Sequence, residues 1–350
     1  MVRPGDMVFL HDPQTAGLGP ALVRAGARVL WRCHIGHDTT NEEVEAAWRW
    51  LQPYLEPIPL FVFSRQAYIP DYCDHGKSAI VTPSIDIFSP KNQDLDEATV
   101  RSILVQADLV DGPPTADRPP LFWCDDGSPE RVCRRAEVVR RGRAPSWETP
   151  LVLQVSRWDP LKDPVGVMRG FVELLEGRAG DDVELVLAGP STEGVADDPE
   201  GASVLEEVIA TWRKLPESLQ ERIHLASLPT DDVAENAAIV NALQRHASVI
   251  VQKSLHEGFG LTVTEAMWKG RPVVASAVGG IQDQIEDGVS GALLEDPTDI
   301  SDFARVLAGV LDDPQLARRL GEAGRERVRE HFLGVRHLLK YARLIERLDG

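Results

Sequence analysis

The stretch SVIVQKSLHEGFGLTVTEAMWK, Ser248–Lys269, reads as a short buried strand (Ser248–Val251), a polar run, a glycine turn and a helix (Leu261–Lys269). The strand is β-branched and shows no period-2 alternation, the pattern of a strand covered on both faces in a parallel sheet. Gly258 and Gly260 let the backbone turn with positive φ and let a ligand come close. The first amides of the helix have no internal partner and lie at the positive end of its dipole, so a phosphate is favoured there. Thr262 or Thr264 can add a hydroxyl donor. Glu257 precedes the turn and is expected to face a cleft, and Glu265, inside the helix, is in reach of ribose hydroxyls. The plainer alternative is a tight junction with two surface glutamates.

The same grammar extends over 151–331. Strands are predicted at Leu151–Val155, Val183–Ala188, Ile223–Ala226, Pro272–Ser276 and Gly291–Leu294. Helices are predicted between them, beginning with Pro164–Leu175 and ending with Ile300–Leu311. Strand and helix in alternation predict a doubly wound α/β domain that binds ligands at the carboxyl ends of its strands.

Residues 1–107 predict a smaller Rossmann-like domain, with strands at Met7–Leu10, Arg28–Trp31, Leu60–Phe63 and Ala79–Thr82. Its first strand should be internal yet follows almost no lead-in, so the domain is expected to be truncated at its start. Residues 108–150 are rich in Pro, Gly and charge and are expected to be a linker or insertion, with the basic patch Arg131–Arg143 as a solvated face. Two further helices follow Asp313, and the last segment, 332–350, is expected to pack back across the cleft.

A second signal, QVSRWDPLKDP, closes the strand Leu151–Val155. Arg157 and Lys162 flank a proline turn, and two cations at a strand's carboxyl end can clamp a diphosphate. They would also stabilise the charge gathering on a departing nucleoside diphosphate. Surface salt bridging is the competing reading. Val278-Gly279-Gly280-Ile281 either lines the same ligand site or is only a loop. In the first half, His11-Asp12 and Arg32-Cys33-His34 follow successive strands, where polar side chains can bind sugar hydroxyls or assist proton transfer. Ser64-Arg65 and Pro83–Asp86 follow the remaining two strands. Asp94-Leu95-Asp96 is expected to cap a helix.

With 37 basic and 55 acidic residues the net charge is −18. That argues against nucleic acid and anionic membrane surfaces, whose binding rests on Lys and Arg. It leaves room for a small anion held by local cations, because salt screens the distant field. The four cysteines have no zinc or C-x-x-C spacing and are expected to be reduced. With no signal peptide and no apolar run of about 18 residues, a cytoplasmic protein is expected.

Together the segments SRWDPLKD and EGFGLTVTE resemble glycosyltransferase family four, and HDPQTAGL, WRCHIG, FVFSR and PSIDIFSPKNQDL resemble its trehalose synthase branch. The resemblance runs through nearly the whole chain. It implies the GT-B fold, two Rossmann-like domains facing a cleft, and a retaining transfer of glucose from UDP- or ADP-glucose to glucose, giving trehalose. By position, Arg157 and Lys162 would hold the diphosphate, the amides of Gly258, Phe259, Gly260, Leu261 and Thr262 would support it, and Glu265 would bind ribose. Glu257 would contact the glucosyl ring and His34 would stand at the reaction centre. His11, Asp12 and Arg32 are weaker candidates for acceptor contacts. The base is expected to meet backbone groups near Leu225–Leu228. No cofactor or metal is implied; the partners are the small-molecule substrates, and a homodimer is compatible. A retaining trehalose phosphorylase and a non-catalytic nucleotide-sugar-binding protein are the alternatives.

Overall fold

In the computed structural model, which describes residues 1–113, 118–178, 182–192 and 199–349, hydrophobic patterning resolves into two parallel sheets. The first half supplies β1 (Met7–His11), β2 (Arg28–Cys33), β3 (Leu60–Phe63) and β4 (Ser78–Ile80). These pair in parallel in the order β1-β2-β3-β4, so β1 lies at an edge rather than inside. β2 and β3 are apolar because both faces are covered. Val29, Trp31, Phe61 and Phe63 belong to one core, Leu30 and Val62 to the other. Helix Glu42–Leu55 packs Leu51 and Leu55 on the first core. The C-terminal helix Gly334–Asp349 seals the second with Leu344 and Tyr341. His337 Nδ1 and Thr82 O lie 3.1 Å apart, and Arg347 donates to Gly76 O at 2.9 Å. The last helix of the chain therefore covers the first sheet.

Strands β5 (Leu121–Trp123) and β6 (Pro129–Arg131) form a small antiparallel ribbon. The larger sheet contains β7 (Glu137–Val139), β8 (Leu151–Val155), β9 (Glu184–Pro190), β10 (Ile223–Leu228), β11 (Val249–Gln252), β12 (Val273–Ser276) and β13 (Ala292–Leu294). Their order is β13-β12-β11-β8-β9-β10-β7, parallel except for β7. Each central strand predicted from sequence is present, with ends within two residues of those expected.

The segment 108–150, expected to be a linker or insertion, is built into the large sheet and its core. Its β7 extends the large sheet along β10, and Phe122, Val132 and Ala136 are buried. Three-residue strands flanked by proline and charge leave too short a pattern to read. Helix Glu97–Gln106 likewise packs Val100, Ile103 and Leu104 into the core of the larger sheet, against helix Val233–His246. Packing thus draws the second body's boundary earlier than residue 151. Asp96 caps Thr99 N at 2.8 Å, as expected of the D-x-D. Among the described residues no helix is long and apolar enough to cross a membrane.

Candidate active site

After the antiparallel edge strand β7, the chain enters the parallel part of the large sheet at β8, winds outward through β9 and β10, and returns to the other side of β8 at β11. The loops leaving β8 and β11 diverge there, opening the crevice in which such folds bind ligands. Both charged motifs of the second half lie on these loops.

Two ion pairs tie the loops together. Lys162 Nζ meets the Glu257 carboxylate, and Lys253 Nζ meets Asp163. Lys253 is 0% exposed, where an unpaired charge would cost several kcal/mol. Asp163 also caps helix Pro164–Glu176, accepting from Gly166 N at 2.9 Å. Its φ of 47° is a left-handed conformation costing about 1–2 kcal/mol in a residue with a Cβ. The cap and the lysine hold it there. Gln154 Nε2 donates to Lys162 O at 3.0 Å, fixing the backbone beside the cation. Lys253 escaped the sequence reading, although a lysine straight after an apolar strand is itself a signal. Arg157 stands apart: its side chain is 68% exposed and, among the described residues, bonds only Asp159, at 2.8 Å.

On the β11 side, Gly260 (φ 83°) turns the chain into helix Leu261–Trp268, whose first amides have no side-chain cap. Thr262 Oγ1 donates to Gln252 Oε1 at 3.1 Å. Thr264 is buried against Gln284, so only Thr262 borders the turn. The Phe259 ring is buried, 6.0 Å from Phe332; this residue can offer a ligand only its backbone. Glu265 is 6% exposed, with Oε2 3.1 Å from Lys91 Nζ. Gly279 (φ 51°) packs against this loop so closely that a Cβ would fall 1.7 Å from Glu257 O. Gly280 N donates to Gly258 O at 3.0 Å. Of the two readings of Val278–Ile281, the segment therefore abuts the site.

The first half meets the same loop. Tyr68 Oη donates to Glu257 O and Gly258 O. Asp38 accepts from Gly279 N at 2.6 Å and pairs with Arg65, which also reaches Asp283 at 2.7 Å. The His37 and His256 rings are 4.8 Å apart. Asp38, His37 and Tyr68 carry no motif and were not anticipated. Beside them, His11 Nδ1 and His34 Nε2 are 3.0 Å apart with the rings stacked. Asp12 accepts from His34 N at 2.7 Å. Burial first, then Arg32, holds the His34 pKa below its ordinary value, so the ring is neutral at pH 7.

Two expectations need correction. Arg32 is 1% exposed and donates to Val81 O at 2.7 Å and Ser64 Oγ at 3.3 Å; it is a buried brace, not an acceptor contact. The backbone of Leu225–Ser227 is flanked by β9 on one side and β7 on the other, so it is committed to the sheet. The open space lies just beyond, in a cavity of about 580 Å³ beside Ser227, Pro229 and Arg134. The four cysteines are free thiols; burial pushes Cys33 up to about 12 and Cys73 up to about 11. Among the described residues no three His, Cys, Asp or Glu cluster as a metal site.

A doubly wound sheet with a phosphate-type turn and paired cations at its switch point, clasped by a second parallel sheet, is glycosyltransferase architecture, and comparison with known proteins agrees. Residues 139–327 match the family described as glycosyl transferases group 1, and residues 1–70 match the trehalose synthase N-terminal domain. A trehalose synthase of Rubrobacter xylanophilus is 36% identical over 352 residues, spanning 99% of this chain and 70% of that protein. One from Pyrococcus horikoshii is 33% identical over 345 residues, with the same two coverages. The solved structure of Anabaena Alr3699/HepE in complex with UDP superposes with a TM-score of 0.71 at 16% identity, covering 98% of this chain and 79% of that one. The chain belongs to the group 1 glycosyl transferases of GT-B fold, in their trehalose synthase branch.

Proposed function

We propose that this enzyme transfers glucose from a nucleoside diphosphate glucose to free glucose, forming α,α-trehalose with retention at the donor carbon, and that it works in the cytoplasm. The observation that carries the reading is the Lys162–Glu257 pair across the switch point. It supplies a cation for the diphosphate and a carboxylate for the sugar within one contact. Donor binding exchanges partners: the diphosphate takes Lys162, and Glu257 turns to a glucosyl hydroxyl. Arg157 swings in from solvent, and Glu265 takes the ribose. The acceptor hydroxyl attacks the anomeric carbon on the face the diphosphate leaves, and the departing phosphate oxygen receives its proton. Lys162 and Arg157 stabilise the charge that grows on that phosphate. Neutral His34, braced by His11 and Asp12, hydrogen-bonds the sugars at the reaction centre.

The test is to incubate the purified chain with glucose and either UDP-glucose or ADP-glucose, and to measure trehalose. A second arm adds UDP, ADP or inorganic phosphate to trehalose. Release of a nucleoside diphosphate glucose supports the proposal, release of glucose 1-phosphate makes the enzyme a phosphorylase, and nucleotide binding without turnover makes it a binding protein.

A further inference from the structure

At the carboxyl end of the large sheet Arg157, Lys162 and Lys253 each have a carboxylate partner. The opposite end is different. A cavity of about 420 Å³ opens there beside helix Glu97–Gln106, lined by Pro150 and Ser248, which immediately precede β8 and β11, and by Arg271, two residues before β12. Three cations converge on it: Arg245, Lys269 and Arg271. Among the described residues Arg271 has no ion-pair or side-chain hydrogen-bond partner, and its Nε is buried. Lys269 is 7% exposed and, among the described residues, donates only to neutral oxygens, Asn92 Oδ1 at 2.9 Å and Glu265 O at 3.2 Å. Arg245 does have a carboxylate, Asp94 at 3.0 Å, but one 73% exposed to solvent.

The other charged groups facing the cavity are Glu97 and Glu148, and among the described residues neither forms an ion pair with the three cations. One wall is planar: Trp147 stacks on His246 with centroids 4.2 Å apart and 20° between planes. The cations are held at a cost. Burial, then Arg245, lowers the pKa of Arg271, and burial, opposed by Glu265 but aided by Arg245 and Lys91, lowers Lys269 to about 7. Buried charge without a partner is expensive, and an anion bound there removes the expense.

We propose that this cavity is a second binding site, for a small phosphomonoester. Its phosphate lies on the Arg271 fork and the Lys269 ammonium, and its organic part lies along the Trp147–His246 wall. Arginine forks match phosphate oxygens in pairs, and the volume falls in the range of small-molecule pockets. The site is separate from the crevice, and the claim does not depend on the crevice's substrate. Lys269 donates to the carbonyl of Glu265, one turn back, which gives an occupant of the cavity a direct path to the crevice helix.

The experiment titrates the full chain with inorganic phosphate and, separately, with glucose 6-phosphate, by calorimetry and hydrogen–deuterium exchange. Both are expected to slow exchange around 146–150 and 244–249, with glucose 6-phosphate binding at least about tenfold tighter. Arg271→Gln should weaken both about tenfold or more, and Arg271→Lys, which keeps the charge but loses the fork, by less. Lys162→Ala, which removes one of the crevice's cations, should leave this binding unchanged. Protection confined to 157–163 and 257–265 would overturn the site. So would the absence of saturable binding by about 10 mM, or a folded Arg271→Gln that binds as the wild type does. Equal affinity for the two probes would overturn the role of the aromatic wall. The exchange measurement on the unmodified chain decides the location even if a variant fails to fold.

Discussion

The two sides of the crevice are built on different principles. The second-half side is made of charge under constraint: Lys162, Glu257, Lys253 and Asp163 form two ion pairs with little exposure, anchored to adjacent strand ends. Around His34 the first-half side is made of mostly exposed hydrogen-bonding groups, the His11–His34 stack and the Asp12 carboxylate that orients it. A diphosphate demands fixed cations whose field is preorganised. A sugar demands hydroxyl partners that exchange easily with water. The contrast matches the donor and acceptor roles proposed for them.

The sharpest way to break that contrast is to neutralise one group on each side and compare. Lys162→Ala should lower kcat by about 10²–10³-fold, as loss of one transition-state donor does. His34→Ala should lower it by about 10–10²-fold with a raised KM for glucose. Equal losses in steady-state assays would erase the distinction. A stability comparison comes next. Asp163→Ala leaves Lys253 buried without a partner and should cost about 3–5 kcal/mol in urea unfolding. Asp12→Asn, which keeps an acceptor for His34 N, should cost about 1 kcal/mol or less.

Acid should act through the histidines. His34, His246 and His337 all have pKa values lowered mainly by burial, His246 to about 4. The unfolded chain then binds more protons than the folded one below about pH 6.5. The stability these groups contribute is complete above that pH and is lost as pH falls toward 4. The melting temperature should drop through that window, and His246→Phe should flatten the drop. The smallest effect expected is from Tyr68→Phe. It removes a hydroxyl that reaches the Glu257–Gly258 carbonyls from the other half. About 1 kcal/mol or less is at stake, read as a few-fold rise in donor KM with the acceptor KM unchanged.

Legibility in the sequence followed the same division. The donor loops could be read because a buried parallel strand, a glycine turn and a helix start are local patterns, and their charges fall within a few residues of them. Lys253 was missed because only the pairing of β8 beside β11 shows that Asp163 is its partner. Arg32 was misplaced because β2 runs on to Cys33, so Arg32 lies within the strand and points to one face of the sheet, the face that the C-terminal helix closes over.

Local sequence was sufficient for the alternation of strand and helix, the phosphate-type turn at Gly258–Thr262, and the presence of cations at the end of β8. These depend on periodicity, backbone freedom and dipoles acting over a few residues. Tertiary structure alone decided that β7 and helix Glu97–Gln106 belong to the second body, that Tyr68 and Asp38 clasp the Glu257 and Gly279 loops, and that, among the described residues, the cations at one end of the large sheet are partnered while Arg271 at the other is not. Those outcomes rest on contacts between residues up to 241 positions apart, over which chain order carries no geometric information.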